Sequence, residues 1–536
     1  MKDLLQPEFG QITGLIAQHA IDQPERPALI DAERTINYAA LDSLMNRVAC
    51  ALQRDGVRPG EAIAICAASS MEYAAVFLGA LRAGVVVAPL APGSTPASLA
   101  QMVGDAKARL LFTDAFASPA VGPYSPPIPG AASDDAGFSM ARVSRIALDG
   151  SGVGVALDAW LAPAESVPVA PEIAPTAAFN IIYSSGTTGE PKGIVQSHGM
   201  RWAHVRRGSA YGYSEDSVTV LSTPLYSNTT LVVFFPTLCF GGCVVLMPKF
   251  DARGYLQLCQ QHRATHTMLV PVQYQRLMAL PDFDRFDLSS FVVKFSTSAP
   301  FGAAIKADVL RRWPGGLVEF YGMTEGGGTC ILEAHANPDK LHTVGRPAEG
   351  HDIRLIDDEG IELPPGEAGE VVGHSAGMMT AYYGRPEKTR EAEWFDAQGK
   401  RFIRTGDIGR FDAEGFLTLF DRKKDMIISG GFNVYPSDLE AVLREHPAVI
   451  EAAVVGMPSV QWGETPVAFV VCKAGDALDA NITQALLDWT NQRVGKTQRL
   501  SAVHLMDELP RSAIGKVLKR ELRDRLVDAG GSGLKP

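Results

Sequence analysis

The chain has 536 residues, roughly three to four average domain lengths, with 46% hydrophobic and 20% charged residues. That balance excludes a disordered or fibrous chain and allows a large buried core. A net charge of −11 lacks the basic footprint of a general nucleic-acid binder, although local loops can still hold a small anion.

The first twenty residues contain acids and no uninterrupted apolar run, so no signal peptide is expected and a cytoplasmic location is. Strand-like and helical patterns then alternate: Ala62–Cys66 as a strand, Tyr73–Ala83 as a helix, Val85–Ala88 as a strand, Ala97–Asp105 as a helix. This alternation predicts an α/β chain with mainly parallel sheets. The Pro-, Ala-, Gly- and Ser-rich stretch 115–139 reads as a surface loop. Leu231–Met247 is the most apolar segment. Pro236, Gly241 and Gly242 interrupt it, and it falls short of the ~20 residues that cross a bilayer, so it reads as buried core. Seven scattered cysteines oppose a disulfide framework and fit a reducing compartment. Cys239 and Cys243, the one close pair, read as packing rather than metal ligands.

After Gly345 the texture becomes antiparallel. His351–Ile356 and Gly369–Gly373 read as strands, and Asp357–Gly360 as a solvated turn rather than a metal site. The charged run Asp421–Asp425 marks a further boundary. Beyond it, a helix at Pro436–Glu445, strands at Ile450–Gly456 and Val467–Cys472, and a helix at Ile482–Arg493 predict a small separate α+β domain.

The segment Tyr183-Ser-Ser-Gly-Thr-Thr-Gly-Glu-Pro-Lys-Gly193 carries chemistry. Its glycines let backbone N–H groups approach an anion, the hydroxyls of residues such as Thr187 and Thr188 add donors, and Lys192 adds charge. That composition suits a polyphosphate, yet the spacing is not that of a P-loop. A polar turn is the other reading open at this point.

This segment resembles the signature of the AMP-forming acyl-CoA synthetases, the adenylating superfamily that includes aryl-CoA ligases, peptide-synthetase adenylation domains and beetle luciferase. Further landmarks follow in order: Tyr321-Gly-Met-Thr-Glu325, Arg404-Thr-Gly-Asp407, Asp421-Arg-Lys-Lys-Asp425, Ser429-Gly-Gly-Phe-Asn-Val-Tyr-Pro436 and Pro510-Arg-Ser-Ala-Ile-Gly-Lys516. The resemblance implies a large adenylation domain (1–420) with a small β-rich subdomain, a hinge (421–425) and a mobile lid (426–536). It implies ATP, Mg²⁺ and coenzyme A as cofactors and an acid–thiol ligase activity by way of an acyl-adenylate.

The resemblance also assigns roles. Thr324 would hydrogen-bond the α-phosphate, Glu325 would help hold Mg²⁺, and Tyr321 would stack on adenine. Asp407 would bind the ribose hydroxyls with Arg422 beside it. Lys424 would be the hinge. Lys516 would bridge the substrate carboxylate and the α-phosphate as the catalytic lysine of adenylation, with a helix following at Val517–Leu526. Gly430 and Gly431 would leave room for the pantetheine arm. The acyl pocket would be lined by Tyr226, Ser227, Ser298, Gly326 and Gly327. Ser227 stands where family members often carry histidine, and Gly326–Gly328 would open a channel suited to an aromatic or fatty acid. The expected partners are a small carboxylic acid, ATP and CoA, with no nucleic acid, no integral membrane segment and a homodimer left open. A stand-alone enzyme loading a carrier protein and a non-catalytic nucleotide-binding module are the alternatives. The joint presence of Lys192, Thr324, Glu325, Asp407 and Lys516 weighs against the second.

Overall fold

In the computed structural model the described residues are 5, 7–31, 34–122, 140, 143–184, 191–423, 425–429, 432–459, 462–473, 481–512 and 515–529. They divide into two compact units. The first comprises 1–342, 347–352 and 374–403; the second comprises 343–346, 353–373 and 404–536. Strands Asp352–Ile356, Ala368–His374 and Arg401–Phe411 each begin in one unit and end in the other.

The first unit holds two sheets. One runs in the order Val155–Ala156, Ser144–Ala147, Leu110–Thr113, Ala62–Cys66, Val86–Leu90, Ala178–Ser184, Lys192–Ser197. Its pairs are parallel until the last, an antiparallel pair that sets Ser184 opposite Lys192. Ala62–Cys66 and Val86–Leu90 are buried at every position. Their unbroken apolar runs are what strands covered on both faces require. The other sheet runs Arg346–Pro347, Cys330–Glu333, Gly316–Tyr321, Val293–Ser296, His266–Leu269, Val218–Leu221, Cys243–Leu246, Pro27–Asp31, Arg34–Asn37. It is parallel from Gly316–Tyr321 through Pro27–Asp31. The predicted fold class is therefore the observed one.

Helices Tyr38–Arg54, Met71–Arg82 and Asn228–Cys239 share one apolar core with both sheets, joining Ile63 and Phe112 to Phe77, Phe235, Val244 and Phe295. Phe77 packs edge-on against Phe235, with ring centroids 5.8 Å apart. The helix expected at Tyr73 starts at Met71 because Ser70 caps it, accepting a hydrogen bond from the Tyr73 N–H at 3.1 Å. The apolar stretch 231–247 forms most of a buried helix and the strand Cys243–Leu246. Cys239 is buried and free, and burial pushes its thiol pKa up. Among the described residues no cluster of His, Cys, Asp or Glu could hold a metal ion, and no helix is long and apolar enough to cross a membrane. Of the loop expected at 115–139, the described part contains the short helix Ser118–Val121.

In the second unit, Leu417–Arg422 pairs antiparallel with the latter half of Arg401–Phe411. The Asp357 turn closes on itself, the Ile361 N–H donating to Asp357 Oδ1 at 2.8 Å. Farther on, Val449–Ser459 and Gly463–Cys472 form a long antiparallel pair. Helices Pro436–Arg444 and Ile482–Asn491 pack Leu439, Leu443 and Leu486 against Val454 and Val470. Leu522 of the final helix, Lys519–Ala529, packs with Val455 and Phe469. That helix begins two residues after the expected Val517, which instead bridges Arg511 in antiparallel fashion.

Candidate active site

In the first unit the parallel strands Val218–Leu221, Val293–Ser296 and Gly316–Tyr321 all deliver their carboxyl ends to irregular segments. Ligands of open α/β sheets bind at such edges. Tyr226 and Ser227 follow the first strand, Ser298 the second, and Thr324–Gly327 the third. Tyr321 is half-buried at the end of its strand, opposite Cys330.

One side-chain link joins the first two segments, and two more tie the third to Gln196 and Tyr382. Ser298 has φ +82°, a left-handed conformation that costs a non-glycine residue about 1–3 kcal/mol. Its hydroxyl is held at 2.7 Å by Thr229 Oγ1, from the helix that starts beside Ser227. The Thr324 carbonyl accepts from Gln196 Nε2 at 2.9 Å. The buried Glu325 accepts at Oε1 from the Tyr382 hydroxyl at 2.8 Å, and Lys192 Nζ lies 5.2 Å from the same tyrosine ring. Burial and the Glu325 charge push the Tyr382 hydroxyl pKa up, so it stays a donor.

Tyr382 and Gln196 are absent from the sequence-derived site. Nothing near Tyr382 marks it, because its contact with Glu325 spans 57 residues. It arrives by an added strand-like segment: Tyr383 N–H donates to the Gly193 carbonyl at 2.7 Å and Val195 N–H to the Ala381 carbonyl at 3.1 Å. Thr187 and Thr188 lie outside the described residues, as do Lys424, Gly430 and Gly431.

Gly326 has a backbone reason to be glycine. Its φ is +69°, and an added Cβ would stand 2.1 Å from the Gly377 carbonyl oxygen. Gly326→Ala should therefore lower stability by about 2 kcal/mol or more. A thermal melt should show the loss, whereas Gly93→Ala, with open space around it, should melt like the parent protein.

In the second unit, Asp407 and Arg422 are cross-strand partners joined by a 3.1 Å ion pair. The Asp407 N–H also donates to Thr405 Oγ1 at 3.1 Å, fixing the turn. Lys516 stands at the closing side of a tight loop. Its N–H donates to Ser512 Oγ at 3.2 Å, its carbonyl accepts from Ser512 N–H at 2.8 Å, and Gly515 takes φ +76°. Arg511 braces the loop through the Gly515 carbonyl at 2.7 Å and Glu451 at 2.9 Å. Flanking position 424, Asp425 pairs with Arg523 at 2.9 Å, while Lys519 lies 2.9 Å from Glu440 and 3.7 Å from Asp421. The structure thus gathers Lys192, Thr324, Glu325, Tyr226, Ser227 and Ser298 in one unit and Asp407, Arg422 and Lys516 in the other.

The description "AMP-binding enzyme" matches residues 16–383, and "AMP-binding enzyme C-terminal domain" matches residues 438–516. The chain belongs to the AMP-binding enzyme family. It is similar to an indoleacetate–CoA ligase of Aromatoleum aromaticum, 33% identical over 96% of this chain and 98% of that one. A feruloyl-CoA synthase of an Amycolatopsis species is 32% identical over 94% and 96%. Among solved structures, ATP-bound MatB from Rhodopseudomonas palustris matches with a TM-score of 0.83 and 28% identity, over 97% of this chain and all of that one. As a member of this family the chain is an AMP-forming acid–thiol ligase, making acyl-CoA thioesters.

Proposed function

We propose that the chain activates an aromatic or extended acyl carboxylate carrying no second charge. The observation that carries this reading is the make-up of the wall segments 226–230 and 297–301: tyrosine, serine, asparagine, threonine, alanine, proline and phenylalanine, with no ionised side chain. A charged substrate tail would lose its hydration there without a counter-charge. The names of the relatives, indoleacetate and feruloyl ligases, support the aromatic choice.

In the first half-reaction a carboxylate oxygen attacks the α-phosphorus of ATP and pyrophosphate leaves. In the second the CoA thiol attacks the acyl carbon and AMP leaves. Negative charge gathers at the α-phosphate in the first step, so donors aimed there lower its barrier. Thr324 supplies a hydroxyl and Lys516 an ammonium for that charge, and Lys192, Thr187 and Thr188 hold the outer phosphates. Tyr321 faces the adenine, and Asp407 with Arg422 the ribose, since one carboxylate can accept from two vicinal hydroxyls. Gly430 and Gly431 admit the pantetheine arm. Glu325 is a hard oxygen donor held in place by Tyr382, and it suits Mg²⁺ shared with phosphate oxygens. When bound, the ion would neutralise phosphate charge.

The test is pyrophosphate release and thioester formation with ATP, Mg²⁺, CoA and one of indole-3-acetate, ferulate, dodecanoate or malonate. Turnover is expected with an aromatic or fatty acid and not with malonate. Preference for malonate would overturn the assignment of the pocket.

A further inference from the structure

Arg201, on the helix His198–Arg207, is 0% exposed. Among the described residues no carboxylate pairs with it. Its partners are three amides. Nη2 donates to Asn228 Oδ1 at 2.8 Å, to Asn180 Oδ1 at 3.3 Å and to Gln196 Oε1, while Nη1 has no hydrogen-bond partner. The guanidinium carbon lies 5.8 Å from the Phe179 ring and 6.0 Å from the Phe235 ring. Burial drives its pKa down to about 9. Burying a cation without a counter-ion carries a desolvation cost that its hydrogen bonds to three amides only partly offset, so the residue is weak evidence for stability alone. The explanation must lie in what the cation organises.

The three amides occupy informative places. Asn180 and Gln196 stand on the two strands, Ala178–Ser184 and Lys192–Ser197, that flank the glycine- and hydroxyl-rich segment. Asn228 opens the helix beside Ser227. Gln196 also donates from Nε2 to the Thr324 carbonyl at 2.9 Å. One planar donor group therefore connects the phosphate-side strands, the Thr324 carbonyl and the start of the acyl-pocket helix.

We propose that Arg201 is a positioning residue of the adenylation half-reaction, setting Thr324 against the Ser227–Asn228 wall through Gln196 and Asn228. This rests on the function proposed above. In-line attack on phosphorus tolerates little misplacement, and an error near 1 Å can cost roughly 10²-fold. Attack of a thiol on a finished acyl-adenylate makes no such demand on Thr324.

Wild type is first assayed with ATP, Mg²⁺ and indole-3-acetate, ferulate or dodecanoate, and the best acid is carried forward. In Arg201→Met, pyrophosphate release should fall roughly 10–10²-fold, with kcat reduced more than the KM for ATP is raised. Thioester formation from the synthetic acyl-adenylate and CoA should stay within about threefold, because that step lies outside the positioning argument. The melting temperature should fall by a few degrees, because three amide oxygens lose their donor, but that loss alone would not separate the two half-reactions, and Arg201→Lys should restore part of the rate. Unchanged adenylation in folded Arg201→Met, or equal loss in both half-reactions, would overturn the proposal. Should Arg201→Met not fold, Gln196→Met decides by the same split, and its unchanged adenylation would be equally fatal. Wild type releasing no pyrophosphate with any acid would instead sink the function reading on which this rests.

Discussion

Lys516→Ala should slow acyl-adenylate formation by roughly 10²–10⁴-fold, through lost positioning and lost charge stabilisation. Two anions, the carboxylate and the α-phosphate, must meet in that step, and Lys516 is the cation assigned to screen them. The lysine side chain should be the whole cause, because its loop is held by backbone and by neighbours. Ser512, Gly515 and Arg511 close the turn, and Arg511 is anchored on Glu451. Alanine leaves those contacts in place. Thioester formation from preformed acyl-adenylate should be far less affected. Single-turnover measurement of each half-reaction separates the two, and equal damage to both would refute the assigned role.

Lys424→Pro should give the opposite pattern: acyl-adenylate still forms, and transfer to CoA is lost. The two half-reactions are assigned to two settings of the segment 421–425, and proline fixes φ near −65° where a change of φ/ψ is needed. The neighbours of position 424 belong to firm local structure. Lys423 N–H donates to the Gly406 carbonyl at 2.8 Å, Asp425 N–H to the Arg422 carbonyl at 2.8 Å, and Asp425 is tied to Arg523. On the hinge assignment, one locked residue in that segment should suffice to prevent the change of setting. Accumulation of enzyme-bound acyl-adenylate on adding ATP and acid, with no thioester on adding CoA, is the expected result. Preserved thioester synthesis would rule the hinge out.

Much of the architecture was legible in the residue order because local signals and tertiary demands agree. The apolar runs read as strands at Ala62–Cys66 and Val85–Ala88 become the strands Ala62–Cys66 and Val86–Leu90, buried at every position as strands covered on both faces are. Ser70 shows why boundaries shift while elements persist: a capping hydroxyl, not hydrophobic period, decides where a helix begins. The site divided differently. Residues inside motifs could be named from the chain, since the motif brings its own neighbours. Tyr382, Gln196 and Arg201 could not, because their meaning lies in partners up to 128 residues away. Gly326 carries a further lesson. Its lack of a side chain reads as room for substrate, yet the Gly377 carbonyl already demands it.

The clasp between Ser298 and Thr229 bears on attempts to redirect this enzyme to other acids. Ser298 combines a left-handed backbone with a hydroxyl contact to Thr229, so a change at either position bears on the other. Replacements at 229 and 298 will consequently not combine as independent steps, and libraries that vary the two positions together should reach substrate ranges that stepwise selection misses.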